Sequence, residues 1–150
     1  MHSSDGQSHV AKGMVASAAV VEGPTAAVPR AAATVTVREY EFGGLDGLKS
    51  GTQTVRVENQ GQLEHNWGIF GLQPGRSAED LATFLAGGGP PTGPPPFTSS
   101  PGLVGAVARG GEATRTLELP PGRYAMVCLV RDPDGRAHYH KGMLREFTVA

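Results

Sequence analysis

Four residues in the C-terminal part of the chain carry side chains that can coordinate a metal: Cys128, His138, His140 and Met143. Cys128 is the only cysteine among the 150 residues, which excludes an internal disulfide. Taken singly, each of these residues is more often core filler or a surface side chain than a ligand. They indicate a site only if the fold brings them together.

A predicted hairpin would bring these side chains to one end of the domain. Apolar side chains alternate along residues 124–130, the segment that contains Cys128, and this pattern predicts a strand. Asp-Pro-Asp-Gly at 132–135 predicts a turn, since proline fixes φ, aspartate caps turns and glycine accepts positive φ. Residues 144–149 predict the closing strand.

The remainder of the chain predicts further short strands. Glycine (22) and proline (12) are frequent, and alternating segments occur at 52–59, 103–109 and 114–119. Residues 34–42 alternate with a change of phase, which predicts an edge strand with a bulge. A loop from Asn59 leads to a strand that begins near His65. With turn signals every ten residues or so, the sequence predicts an all-β Greek-key β-sandwich of about seven strands.

One short helix interrupts this pattern. Ser77 and Asp80 have the spacing of a capping box, and Gly87 is placed to end the helix. The Gly- and Pro-rich segment 87–102 excludes a helix or a central strand. It predicts a solvated loop, with a lid near the site as the weaker alternative.

Charge and hydropathy exclude several classes of partner. The formal net charge is −1 and the sequence has no basic cluster, so binding to nucleic acid or to an anionic membrane surface is not expected. No apolar run approaches the ~20 residues that a membrane-spanning helix needs.

An internal repeat indicates a larger parent protein. DGQSHVAKGM at 5–14 and DGRAHYHKGM at 134–143 share Asp, Gly, His, Lys, Gly and Met in register. We therefore predict that residues 1–21 are a remnant of the C-terminal hairpin of a preceding similar domain, that 22–33 are a linker, and that 34–150 form the domain proper. On this interpretation an export signal was lost with the missing N-terminus.

Several motifs resemble those of the cupredoxins, the blue (type 1) copper proteins, and most of all plastocyanin-like and actinobacterial cupredoxin-like domains. The matching motifs are NQGQLEHNWGIF at 59–70, Gly122-Arg123-Tyr124, Cys128, His138 and Gly142-Met143. The resemblance covers residues 34–150. It implies a β-sandwich that carries electrons outside the cytoplasm and binds one copper ion.

The resemblance also implies a ligand set. His65 matches the first histidine, Cys128 the thiolate, His138 the second histidine and Met143 the axial thioether. Two imidazoles, a thiolate and a weak axial methionine suit copper in both oxidation states. Asn66 matches the asparagine that ties the first ligand loop to the cysteine loop.

His138 is preferred to His140 as the second histidine. Its spacing to Met143 is that of plastocyanin-like loops, and His9 of the repeat aligns with it, whereas Ala11 aligns with His140. His140 is expected to hydrogen-bond near the site or to compete for the metal. Nine residues separate Cys128 from His138, more than is usual in blue copper proteins. The turn at 132–135 must protrude if His138 is to return to the site.

The sequence therefore predicts an exported copper protein that passes electrons to a redox partner protein and is not an enzyme. A metal-free cupredoxin-like module for binding or cell-envelope structure is the first alternative, and a Cu(I) carrier is the second. One domain of a multi-domain copper oxidase ranks lowest, because His138 and His140 form the only His-X-His pair.

Overall fold

The computed structural model describes residues 7, 10–19, 23, 27–87 and 93–150. These residues form eight strands, one α-helix and two short 3₁₀ helices at Leu45–Gly47 and His138–Lys141. The strands are β1 Ala33–Arg38, β2 Glu41–Gly43, β3 Gly51–Asn59, β4 His65–Leu72, β5 Phe97–Val107, β6 Glu112–Leu119, β7 Gly122–Val127 and β8 Leu144–Val149. The helix α1 spans Ala78–Ala86.

The strands form two four-stranded sheets, in the orders β2-β1-β3-β6 and β5-β4-β7-β8. β1 pairs with β3 in parallel and the other pairs are antiparallel. Side chains from both sheets, including Val35, Val55, Trp67 and Met126, pack into one buried cluster between them. The predicted all-β sandwich with one short helix is confirmed.

α1 packs on the outer face of the second sheet, and the predicted capping box at its start is present. The Ser77 hydroxyl accepts a hydrogen bond from the Asp80 N–H, and the Asp80 carboxylate accepts one from the Ser77 N–H. Leu81 is fully buried against β4 and β7 residues such as Phe70 and Val127. β4 and β7 are therefore buried on both faces, which fixes the strands that carry His65 and lead to Cys128.

The prediction of one bulged strand at 34–42 is wrong. β1 and β2 form a tight hairpin in which Arg38 faces Glu41, so that only Glu39 and Tyr40 lie in the turn. Tyr40 has a φ of 63°, the one positive value among the described non-glycine residues. Apolar side chains alternate within β1 and again within β2. The change of phase in the sequence falls where the chain reverses between the two strands.

The Gly- and Pro-rich segment is only partly a loop. Residues 97–102, predicted to be loop, belong to β5. β5 is an edge strand whose pairing with β4 has register shifts, and such an edge tolerates a proline that cannot donate to a ladder. Residues 88–92 lie outside the described part of the chain.

The predicted remnant at 1–21 lies only partly within the described residues. Its described residues, 7 and 10–19, are exposed, and the Gly13 N–H donates to the Val10 carbonyl at 3.0 Å in a turn. The division into remnant, linker and domain remains a prediction. Among the described residues, no helix is long and apolar enough to cross a membrane.

Candidate metal centre

Three of the predicted ligand side chains meet in the interior of the protein. Nδ1 of His138 lies 3.1 Å from Nδ1 of His65 and 3.5 Å from Sγ of Cys128. Sγ of Cys128 lies 3.9 Å from Nδ1 of His65. All three side chains are at most 1 % exposed. Across the described ranges, this is the one grouping of three or more His, Cys, Asp or Glu side chains with such close donor atoms.

The strand ends place these side chains at one end of the second sheet. His65 is the first residue of β4, and Cys128 follows the last residue of β7, its antiparallel neighbour. His138 opens the second 3₁₀ helix. Folding of the sheet therefore brings the histidine of one strand to the cysteine of the next.

Met143 lies in the same region and is fully buried in the apolar cluster that includes Cys128. Its carbonyl accepts a hydrogen bond from the Cys128 N–H at 3.1 Å, and its N–H donates to the His138 carbonyl at 3.1 Å. The backbones of all three residues are thus fixed to one another before any metal binds.

The long Cys128–His138 segment folds out and returns. The His138 N–H donates to the Val130 carbonyl at 2.8 Å, and the Tyr139 N–H donates to the Cys128 carbonyl at 3.1 Å. These two bonds close the base of the segment. At its tip, the Asp132 carbonyl accepts a hydrogen bond from the Gly135 N–H at 2.8 Å and closes the predicted turn. The insertion is therefore a small hairpin that leaves His138 beside Cys128.

Asp132 reaches back from this turn to the site. Its Oδ1 lies 3.1 Å from Nε2 of His138, and its Oδ2 accepts hydrogen bonds from the Tyr40 hydroxyl at 2.7 Å and from the Lys141 ammonium. The bonds from Lys141 and Tyr40 lower the pKa of Asp132 to about 2. Asp132 is therefore an ionised carboxylate behind the imidazole of His138.

Glu39 stands in the corresponding place behind His65. Its Oε1 lies 3.5 Å from Nε2 of His65, at ion-pair distance but outside hydrogen-bond geometry. The same oxygen accepts hydrogen bonds from the N–H groups of Leu63 and Gln62, at 2.7 and 2.6 Å. These bonds, led by that from Leu63, lower the pKa of Glu39.

Two asparagines organise the loops around the cluster. Oδ1 of Asn66 accepts from the Leu129 N–H at 2.7 Å, so it joins the start of β4 to the segment after Cys128. The buried Asn59 donates to the carbonyls of Leu63 and Val107, at 2.7 and 2.8 Å. Asn59 therefore shapes the loop that leads into His65.

Sequence reasoning missed four of these residues: Glu39, Tyr40, Asn59 and Asp132. The phase change at Tyr40 and the turn at 132–135 were the available signals, but they indicated only local backbone geometry. His140 was expected near the site. It is exposed, and its ring packs on Tyr139 with centroids 4.2 Å apart. It does not belong to the group that His65, Cys128 and His138 form.

The protonation pattern of the cluster favours a bound cation. Carboxylates beside both Nε2 atoms favour the Nε2–H tautomer, which turns two Nδ1 lone pairs toward each other. Burial and the neighbouring His138 lower the pKa of His65, so protonation does not readily resolve this contact. Burial also raises the pKa of Cys128. A metal ion among the three atoms would satisfy both lone pairs and displace the thiol proton.

The spacing of the donors fits such an ion. Nitrogen and sulfur ligands at bond lengths of about 2.0–2.3 Å lie about 3.5–3.8 Å apart in a trigonal site. The observed distances of 3.1, 3.5 and 3.9 Å bracket this range. Two imidazoles and one thiolate, with a thioether close by, are the donor set of a blue copper site, so the cluster suits copper.

Comparison of the sequence alone with known proteins finds no match. No family model matches, and no curated protein matches.

Solved structures do match. Reduced auracyanin from the photosynthetic bacterium Roseiflexus castenholzii is 25% identical with a TM-score of 0.50, over 78% of this chain and 94% of that one. Auracyanin A, a "blue" copper protein of Chloroflexus aurantiacus, is 20% identical with a TM-score of 0.47, over 78% and 99%. An azurin of Methylomonas sp. strain J is 15% identical with a TM-score of 0.44, over 77% and 93%.

The match to the Roseiflexus auracyanin extends over nearly all of that chain and agrees with the two-sheet architecture found here. The similarity therefore extends over the whole fold and is not confined to the metal-ligating residues. The chain has the cupredoxin fold, with a buried histidine, cysteine and histidine cluster at one end of its second sheet.

Proposed function

We propose that this protein is an electron carrier with one type 1 copper site. His65, Cys128 and His138 would hold the ion as strong ligands, and the buried Met143 would be the weak axial ligand. Bound copper would supply a one-electron couple. The observation that carries the proposal is the triangle of donor atoms at 3.1, 3.5 and 3.9 Å in a site closed to water.

The protein matrix supports this role by limiting rearrangement. Backbone hydrogen bonds join Cys128, His138 and Met143, and Asn66 ties the His65 segment to Leu129. A site that cannot relax toward the geometry preferred by either oxidation state needs little reorganisation when the electron moves. The burial of all four side chains would keep water from a bound ion.

Electron exchange would take place at the side of His138. A groove of about 320 Å³ on the surface is lined by His138, Asp132 and Pro133, together with Leu63 and Glu64. Among the four proposed ligands only His138 borders this groove. We propose that the protein is exported, that it transforms no substrate of its own, and that a redox partner protein exchanges electrons with it.

Repeated redox cycling of the copper-loaded protein tests the proposal. The expected result is one copper per chain, reversible reduction by ascorbate and reoxidation by ferricyanide, without loss of metal in the presence of a Cu(I) chelator. Cys128→Ser should abolish the reversible couple. Release of copper to the chelator on reduction would instead favour a carrier, and absence of stoichiometric uptake would favour a metal-free module.

A further inference from the structure

The contact between Asp132 and His138 determines which ring nitrogen of His138 carries the proton. A neutral imidazole carries one proton, and the nitrogen beside an ionised carboxylate retains it. Nε2 of His138 lies 3.1 Å from Oδ1 of Asp132, whereas Nδ1 faces the cluster. The pair therefore keeps the proton on the outer nitrogen and frees the inner one.

Asp132 is itself fixed by groups that can only donate to it. Its second oxygen accepts from the Tyr40 hydroxyl at 2.7 Å and from the Lys141 ammonium. The carboxylate side chain is 5 % exposed. One oxygen therefore serves Tyr40 and Lys141, and the other is left for His138.

Tyr40 reaches this position at a conformational cost. Its φ of 63° lies in the left-handed region, which is unfavourable for a bulky side chain. Its ring also meets the His138 ring edge to face, with centroids 5.5 Å apart and an interplanar angle of 84°. The turn between β1 and β2 is thus held in a strained form that places Tyr40 against both Asp132 and His138.

We propose that Asp132 is a positioning residue for the metal site, which holds His138 as its Nε2–H tautomer so that Nδ1 is presented to the metal. This inference rests on the proposed function. Carboxylates behind metal-binding histidines act in this way, and their loss typically weakens metal affinity about 10–100-fold. Here the carboxylate comes from the long Cys128–His138 insertion, which gives that insertion a role.

Asp132→Asn tests the inference because it should reverse the tautomer. The Lys141 ammonium has no acceptor, so it would hold the amide oxygen on its own side. The amide NH₂ group would then face Nε2 of His138, which must accept. The proton would move to Nδ1 and occupy the metal-binding position.

Asp134→Asn is the matched control. Asp134 lies in the same turn and also pairs with Lys141, through its Oδ2 at 2.6 Å, but its side chain is 49 % exposed. The two substitutions remove the same charge from the same turn. They differ in that Asp132 is buried against His138 and Tyr40, whereas Asp134 is exposed.

Two measurements would be made on each variant. ¹⁵N chemical shifts of the metal-free protein report the His138 tautomer: Nε2–H is expected in wild type and Asp134→Asn, and Nδ1–H in Asp132→Asn. Competition with a chelator reports Cu(II) affinity, expected to fall about tenfold or more in Asp132→Asn alone. Asp132→Ala, which places no amide at His138, should give a mixture of tautomers and an intermediate affinity.

An unchanged His138 tautomer in Asp132→Asn would overturn the inference, as would equal losses of Cu(II) affinity in Asp132→Asn and Asp134→Asn. The tautomer measurement needs no metal. If wild type binds no copper but the tautomer reverses as expected, the proposed function fails and the positioning role of Asp132 stands.

Discussion

Sγ of Cys128 and Nδ1 of His138 lie 3.5 Å apart although nine residues separate them in the chain. The intervening segment is closed at its base by the hydrogen bond from the His138 N–H to the Val130 carbonyl. The insertion therefore lengthens the loop without separating the two side chains. Its outer part supplies Asp132, which contacts the far side of the same imidazole.

Asn66→Ala should loosen the connection between the two halves of the site. The change removes the acceptor of the Leu129 N–H, and we expect a loss of about 1–2 kcal/mol in the free energy of unfolding together with faster copper release. Urea unfolding and stopped-flow transfer of copper to a chelator would measure the two effects.

Gln73→Ala is the control for that substitution. Gln73 follows the other end of β4, and its side-chain amide donates a hydrogen bond to the Pro95 carbonyl at 2.9 Å. The Gln73→Ala substitution should leave the rate of copper release unchanged. Equal release rates in the two variants would show that the bond between Asn66 and Leu129 does not support the site.

Gly142→Ala should be more costly than Gly135→Ala. Both glycines have positive φ, 122° and 81°, so both variants carry backbone strain of about 1–2 kcal/mol. A Cβ at Gly142 would also lie 2.8 Å from the Tyr40 carbonyl oxygen, whereas the space at Gly135 is open. Unfolding in urea should show the larger loss for Gly142→Ala, and equal losses would contradict the close packing of Tyr40 on Gly142.

Met143→Leu tests the axial ligand separately from packing. Met143 is fully buried, and a change to leucine of similar volume should cost less than about 1.5 kcal/mol. Loss of the thioether should raise the reduction potential of bound copper, because a donor to Cu(II) is removed. Voltammetry of the loaded protein would measure this shift.

Met126→Leu provides the comparison. Met126 is equally buried, lies in β7 close to Cys128 in sequence, and belongs to the same core cluster. Its replacement should change stability by a similar amount and leave the potential where it was. A potential that moves equally in both variants would remove Met143 from the ligand set.

Glu146→Gln should destabilise the fold in a pH-dependent way. Glu146 accepts from the Ala78 N–H at the start of α1, at 2.6 Å, and pairs with Arg123 at 2.5 Å. These contacts, led by that with Ala78, lower its pKa from the ordinary 4.5. A lowered folded-state pKa stabilises the protein above pH 4.5, and this contribution disappears as the pH falls through the folded value.

The difference between wild type and Glu146→Gln should therefore be about 1 kcal/mol at pH 7 and smaller at pH 3. Urea titrations at the two pH values measure it. Glu118→Gln, on the exposed side of β6, controls for a general effect of charge. A difference that is the same at both pH values would exclude the ionised contact as its cause.

The sequence was sufficient where the signals are local or where several residues combine. Alternation predicted β3, and β8 was predicted as the closing strand of the C-terminal hairpin. The Ser77 and Asp80 pair predicted the start of α1, and the turn at 132–135 was placed correctly. The meeting of His65, Cys128 and His138 followed from a resemblance in the order of motifs. No single one of these residues would have predicted it.

What could not be predicted are contacts between segments distant in sequence. The Tyr40 hydroxyl donates a hydrogen bond to Asp132, which lies 92 positions further along the chain. The change in alternation near Tyr40 is compatible with a bulge as well as with a hairpin. Asp132 was interpreted as a turn residue, because an Asp-Pro-Asp-Gly segment gives no indication of what its carboxylates contact. β5 extended into a Pro-containing segment because an edge strand needs only half of its hydrogen bonds.

The most direct test of the copper site is a visible absorption spectrum during titration with Cu(II), with Cys128→Ser beside the wild type. Wild type should develop an intense blue band from thiolate-to-copper charge transfer that saturates at one copper per chain. The variant should lack that band. A wild-type protein that stays colourless and takes up no stoichiometric copper would contradict the account.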